Sequence, residues 1–385
     1  MNILIEGWRN INHSYALVNQ WQVYELIKSS NISFEDVSFN NKNWNSQKNN
    51  SGLRDEVKNI ISKIPPPSDD IHYDVTYRIS EPFNFDKKFN SEIVFVFATS
   101  EYKNNLLKSG YTNGDPIQLS KEKNFFIHTP SNWSKKSFLA GGFREDQIVV
   151  VPHGVDIKTF YLVSESEKKN VRDKYKIKSD DFILTNIGAM TQNKGVEDLI
   201  AAYGILKKKN KNLKLILKDQ SNLYNRGASN PIKNMHDSKF NQKYRIFNDE
   251  MYKDIIIISK NLNFNELRNI YSITDCYVSP YKAEGFNLTP LEAAACGTQI
   301  VVTDGGSTDD YFDDCMGFKI ESKEKSLNDN IYLSPKTNSL IEILNSTINK
   351  IDDKKDVRNK LIHKNFSWEN IVKKLKKEFE NKLSR

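Results

Sequence analysis

No stretch of this 385-residue chain approaches the roughly 18 consecutive apolar residues that a membrane-spanning helix needs. Cysteine is scarce: Cys276, Cys296 and Cys315 show no Cys-x-x-Cys spacing and cannot form an even-numbered framework. That argues against a disulfide scaffold and suits reduced, buried thiols in a cytosolic protein. Six histidines fall without ligand spacing, and no Asp-x-Asp triplet occurs anywhere, so no metal site is legible. Basic residues are not concentrated with aromatic ones, which argues against a nucleic-acid groove. The formal charge of +7 is modest and is compatible with an anionic substrate or an anionic membrane surface. The first seven residues lack a basic leader and are expected to form a buried strand, not a signal peptide.

What is present is an alternation of short apolar runs with helical patterns. The length exceeds one typical core and suits two domains. Strands are expected over 3–5, 74–79, 93–98, 124–128 and 148–151, with helices over 15–28, 57–64, 102–109 and 133–140 between them. The Asn-rich stretch 40–51 is expected to be a surface loop, and three prolines at 65–67 stop the preceding helix. Residues 152–180 read as a connector. A second series then has strands over 182–187, 213–218, 254–258, 276–280 and 299–302, and helices over 196–208 and 265–271. Polar residues 221–249 look like an insertion near the site. Alternating strands and helices imply two parallel sheets flanked by helices. The expected domains are 1–160 and 161–366, with a final amphipathic helix near 367–385 packed back on the first.

Three segments of the second half are Gly-containing loops between a strand and a helix, where anionic ligands bind in parallel α/β folds. Glu284 and Glu292 stand eight residues apart across one of them, and taken alone they fit either a ligand site or an ordinary loop with surface carboxylates. Ile187-Gly188-Ala189-Met190-Thr191-Gln192-Asn193-Lys194-Gly195 is another, with Lys194 placed to project charge toward a diphosphate. The third is Thr303-Asp304-Gly305-Gly306-Ser307-Thr308-Asp309, in which Asp309 is read as a helix cap. All three loops leave one sheet edge and are expected to converge.

In this order the motifs resemble the family-4 retaining glycosyltransferases of GT-B architecture. The resemblance rests on Glu284 and Glu292 with Gly285-Phe286 and Leu291-Glu292-Ala293, on Lys194-Gly195, and on Pro152-His153-Gly154-Val155-Asp156. Thr129-Pro130-Ser131-Asn132-Trp133-Ser134 and Phe366-Ser367-Trp368-Glu369-Asn370 extend it over roughly residues 124–385. The first 120 residues match only in outline. The resemblance implies an α/β fold of two Rossmann-like domains whose parallel sheets face each other across a cleft. It implies transfer of a sugar from a nucleotide-sugar donor to a hydroxyl acceptor, a glycan or lipid-linked glycan, with no cofactor and no metal.

By that resemblance Glu284 contacts the donor sugar and Glu292 the ribose. Backbone N–H groups around Asn287, Leu288 and Thr289 face the diphosphate, Lys194 neutralises it, and Gly188, Gly285 and Phe286 complete the donor-binding set. The sequence departs from the family where an arginine commonly follows the first-loop glycine; here stand Ala189 and Met190. Lys218, at a strand end, is the favoured substitute over Arg226 and Arg9. The first-strand loop lacks a Gly-Gly pair and offers Gly7, Arg9, His13 and Ser14 instead. His13 fits a sugar or acceptor contact as well as it fits a helix-start residue. His128 and His153 read as structural, and Asp156 as a turn residue. A catalytically silent scaffold of the same fold is the alternative, and a cytoplasmic location, with or without peripheral membrane contact, suits either.

Overall fold

A computed structural model describes residues 1–39, 44, 52–81, 83–84, 91–103, 112–113, 116–244, 249–350 and 352–384. The surface loop expected over 40–51, residue 44 apart, and residues 104–109 of the helix expected over 102–109 lie outside the described residues. Contacts divide the chain into one unit of residues 1–154, 327–331 and 365–385 and a second of 155–326 and 332–364.

The first unit carries strands β1 (Asn2–Gly7), β2 (Asn31–Asp36), β3 (Tyr73–Ile79), β4 (Ser91–Phe97), β5 (Phe125–Thr129) and β6 (Ile148–Val150). They form one parallel sheet in the order β2-β1-β3-β4-β5-β6. Ile3, Leu4 and Ile5 have no exposed surface, as expected of a strand covered on both faces. β2 was not expected, because Asn31, Ser33, Glu35 and Asp36 interrupt its apolar residues, yet it pairs with β1 over its full length. Helices α1 (Ser14–Leu26), α2 (Asp55–Ile61) and α3 (Asn132–Ala140) fill the connections. His128 is satisfied inside, with Nδ1 2.8 Å from the Tyr77 hydroxyl and Nε2 2.9 Å from the Val151 carbonyl oxygen. His153 is buried with its ring against Phe97 and Trp368, and Asp156 holds a turn through Lys158 N–H and the Thr159 hydroxyl.

The second unit opens with a correction. The charged run inside the expected connector is a helix, α4 (Glu165–Lys174), started by a capping box between Ser164 and Glu167. Its near-absence of apolar residues hid it. Strands β7 (Phe182–Ile187), β8 (Leu213–Lys218), β9 (Ile255–Ile258), β10 (Cys276–Ser279), β11 (Gln299–Thr303) and β12 (Gly317–Ile320) form a parallel sheet. Its order is β9-β8-β7-β10-β11-β12. Helices α5 (Val196–Lys207), α6 (Ser229–His236), α7 (Phe264–Ile273), α8 (Leu288–Ala295), α9 (Thr337–Ile348) and α10 (Lys355–Phe366) belong to this half. The polar stretch 221–249 includes α6 and shorter helical turns at Ser221–Tyr224 and Lys239–Tyr244. Strand order reverses between β7 and β10, so the loops leaving these neighbours diverge to opposite faces and open a crevice.

The chain ends in α11 (Trp368–Leu383), which lies on α1 and β4 of the first unit. Ile371, Val372, Leu375 and Phe379 recur at helical spacing and are buried. The Phe379 ring sits 4.7 Å from Phe95 and 5.6 Å from Tyr77, centroid to centroid. Phe379→Ala is expected to destabilise the first unit by about 3–5 kcal/mol. A urea titration followed by near-UV circular dichroism reads this as an earlier first transition; an unchanged midpoint contradicts the packing.

Candidate functional site

The site is built where β7 and β10 part. After β7 the chain passes through Gly188, whose side-chain position faces open space, and a tight turn at Gln192–Lys194, and then enters α5 at Gly195. Gly195 adopts φ 65°, and a Cβ there would lie 1.9 Å from the Pro280 carbonyl oxygen. Only glycine meets both demands. The close approach lets the two loops hydrogen-bond through their backbones. Lys282 N–H donates to the Asn193 carbonyl at 2.6 Å, and the Asn193 side-chain amide donates to the Ala283 carbonyl at 3.1 Å. Lys194 and Glu284 are the next residues on each loop, and their side chains form an ion pair. Glu284 is 6% exposed, so the pair is shielded from water on the carboxylate side.

α8 begins four residues after Glu284. Asn287 precedes it in the left-handed region at φ 68°, its amide donates to Ser279 Oγ at 2.9 Å, and its carbonyl accepts from the Tyr311 hydroxyl at 2.8 Å. Among the described residues no side chain caps the helix N-terminus. Leu288 and Thr289 thus bring their N–H groups, and the positive end of the helix dipole, to the crevice. The Tyr277 hydroxyl lies 3.1 Å from the Ile187 carbonyl oxygen and 2.7 Å from Thr289 Oγ1, tying the end of β7 to the first turn of α8. The third loop is joined to the second through Tyr281, which lies 2.8 Å from Thr308 Oγ1 and accepts from Thr303 Oγ1 at 2.7 Å. Asp309 serves that loop itself: its carboxylate accepts from Gly305 N–H at 3.0 Å and pairs with Lys319.

Glu292 lies one turn into α8, buried, with the Tyr271 hydroxyl donating to Oε2 at 2.8 Å. Burial pushes its pKa up to about 8, against the opposing pull of that hydrogen bond. Before any ligand arrives it is therefore largely protonated at neutral pH, able to donate as well as accept. The partner tyrosines 271, 277, 281 and 311 were not foreseen. Their positions looked like ordinary core residues, and only three-dimensional neighbours show that their hydroxyls bond the loops and α8 around the site.

The structure brings Gly188, Lys194, Glu284, Gly285, Phe286, Asn287, Leu288, Thr289 and Glu292 to one sheet edge of the second unit. Lys218 ends β8 on that edge, but it is buried and donates to the Asp219 carbonyl, and burial lowers its pKa. His13 belongs to the first unit, where its Nδ1 accepts from Tyr15 N–H at 3.2 Å and so caps α1. Its ring is buried against Trp8 and Trp44, and burial lowers its pKa to about 4. It is neutral at physiological pH. Arg9 is tied to Asp36 through two hydrogen bonds of 2.8 and 2.7 Å. Among the described residues no group of three His, Cys, Asp or Glu side chains is arranged to hold a metal ion.

Residues 167–333 match the family described as glycosyl transferases group 1. Every element of the site in the second unit lies inside that segment. The chain is 29% identical over 161 residues to a D-inositol 3-phosphate glycosyltransferase of Paenarthrobacter aurescens, covering 42% of this chain and 36% of that protein. It is 26% identical over 287 residues to an uncharacterized glycosyltransferase of Methanocaldococcus jannaschii, covering 74% and 65%. The matches thus span about a third to two thirds of these relatives. Among solved structures, Anabaena HepE in complex with UDP and glucose aligns over 99% of this chain and 100% of its own, at a TM-score of 0.67 and 13% identity. A glycosyltransferase from Rickettsia africae aligns over 99% and 98%, at 0.66 and 16%. The fold is the α/β GT-B architecture, with two sheets of six parallel strands.

The raised pKa of Glu292 carries a stability signature. The unfolded chain releases this proton near pH 4.5, whereas the folded chain keeps it to about 8. The stabilisation is thus complete below pH 4.5 and is lost as pH rises toward and through 8. The melting temperature of the unliganded protein should fall between pH 5 and 8 more steeply than that of Glu292→Gln, which cannot ionise. Parallel profiles would place the carboxyl in water.

Proposed function

We propose that the chain is a retaining glycosyltransferase, transferring a sugar from a nucleotide-sugar donor to a hydroxyl of a saccharide, lipid-linked or other acceptor without a metal ion. The observation that carries this reading is the Lys194–Glu284 pair beside the uncapped N-terminus of α8, at the switch point of the sheet. A cation, a helix dipole and a shielded carboxylate are the groups a sugar diphosphate needs. The matched segment and the names of the relatives support it.

Glu284 then holds donor-sugar hydroxyls, Glu292 the ribose diol, and Lys194 the diphosphate, with N–H groups of Leu288 and Thr289. Departure of the nucleoside diphosphate leaves negative charge on its terminal phosphate. Fixed donors aimed at that charge are the main catalytic contribution expected here. The donor also competes with Glu284 for Lys194, so binding loosens the resting ion pair and frees the carboxylate for the sugar. Positive charge from Lys194 and the helix terminus takes the part that a divalent cation plays elsewhere.

Calorimetric titration with UDP, GDP and ADP sugars, with detection of the released nucleotide, tests the reading. Glu292→Ala is expected to weaken nucleotide binding by ~1–3 kcal/mol. Glu284→Ala should lower turnover while leaving free nucleotide affinity nearly intact. If both variants match the parent in affinity and turnover, the roles are wrong. Activity should survive EDTA; full loss restored by Mn²⁺ overturns the metal-free mechanism. An anomeric NMR signal of inverted product overturns retention.

A further inference from the structure

A nucleoside diphosphate carries more than one negative charge, and the loop after β7 offers a single cation whose charge Glu284 already balances. The N-terminus of α8 adds about half a charge. Charge balance at the proposed donor site therefore calls for another cation, and the neighbouring ones differ sharply in availability. The Lys218 ammonium is buried on the Asp219 carbonyl. Lys282 pairs with Asp198 at 3.1 Å.

Arg226 is different. It is exposed and forms no ion pair among the described residues. It lines a cavity of about 230 Å³ together with Met190, Thr191 and Gln192 of the first loop, and with Glu197 and Lys282. Its backbone is held in place from below. The fully buried Asp219 carboxylate accepts from Ser221 N–H at 3.1 Å, Ala228 N–H at 2.9 Å and the Ser259 hydroxyl at 2.8 Å. Asn225, with φ 53°, turns the chain just before the arginine. These bonds pin the 225–228 turn to the C-terminal end of β8. That strand pairs with β7 so that Lys218 stands opposite Ile187, and Gly188 N–H donates to the Lys218 carbonyl at 3.0 Å. The arginine is thus mounted beside the glycine loop on the side away from Glu284.

We propose that Arg226 is the second phosphate-binding cation of the donor site, its guanidinium reaching over Ala189 and Met190 to the diphosphate. A planar fork of N–H donors suits two phosphate oxygens at once. The insertion after β8 is then part of the donor site, and it supplies the second cation that the first loop lacks beside Lys194. This inference rests on the nucleotide-sugar reading above.

The test uses the full chain with UDP, GDP and ADP by calorimetry, and with the matching nucleosides by saturation-transfer NMR. For whichever diphosphate the parent binds, Arg226→Ala is expected to weaken affinity about 10–100-fold. Nucleoside binding and melting temperature should not change. Arg226→Lys should recover part of the loss, and adding Ala189→Arg to Arg226→Ala should recover more. Undiminished diphosphate affinity in Arg226→Ala overturns the role of Arg226 and leaves the donor reading standing. Equal losses for nucleoside and diphosphate overturn it too, since they signal a disturbed loop. A parent that binds none of the three diphosphates removes both.

Discussion

Everything at the site of the second unit depends on two loops touching through their main chains. The Asn193 carbonyl accepts from Lys282 N–H, the Asn193 amide donates to Ala283, and Gly195 admits the Pro280 carbonyl where any side chain would collide. Lys194 and Glu284 meet because they are the residues after each half of this clasp. The ion pair is a consequence of backbone geometry, and the helix that follows is aimed by the same geometry. A lysine and a glutamate on two independent loops would seldom hold such a register, because both side chains lose rotamer freedom to do so.

Around that clasp the unit arranges its charges by burial. Glu284 pairs with Lys194, whereas Glu292 accepts from a tyrosine hydroxyl, and burial raises its pKa against the pull of that bond. Two carboxylates eight residues apart thus meet different partners, one an ammonium and one a phenol. Such splitting of like groups by environment is a common feature of working sites. Four buried tyrosines fill core volume with their rings and give their hydroxyls to the loops, the end of β7 and α8 around the site.

The sheet-edge part of this arrangement was legible in the sequence because it is written in local order. Strand, glycine loop and helix recur three times, and the parallel fold places such loops on one edge. The apolar strands β1, β3, β7, β8 and β10 announced themselves by composition. β2 and α4 did not. In β2 polar residues alternate at a sheet edge, and α4 is a solvated helix with scarcely an apolar stripe, so pairing and capping rather than hydrophobic pattern create them. The tyrosine partners were illegible for another reason: Tyr271 and Glu292 are 21 residues apart, and nothing local marks a phenol as a hydrogen-bond donor. Lys218 was a reasonable reading of a strand end, but a strand end does not say whether its ammonium turns outward or folds onto the next carbonyl.

The return of α11 to the first unit has a bearing on how the protein comes to exist. Strands β1 to β6 leave the ribosome before the second unit, whereas the helix that covers Tyr77 and Phe95 follows it. The second unit, by contrast, draws its strands and helices from one nearly continuous stretch. It can close while the earlier unit still waits with an aromatic face bare to solvent or to a chaperone. For these two units, order of synthesis and order of completion are thus reversed, since α11 is made after the second unit and covers the sheet made before it.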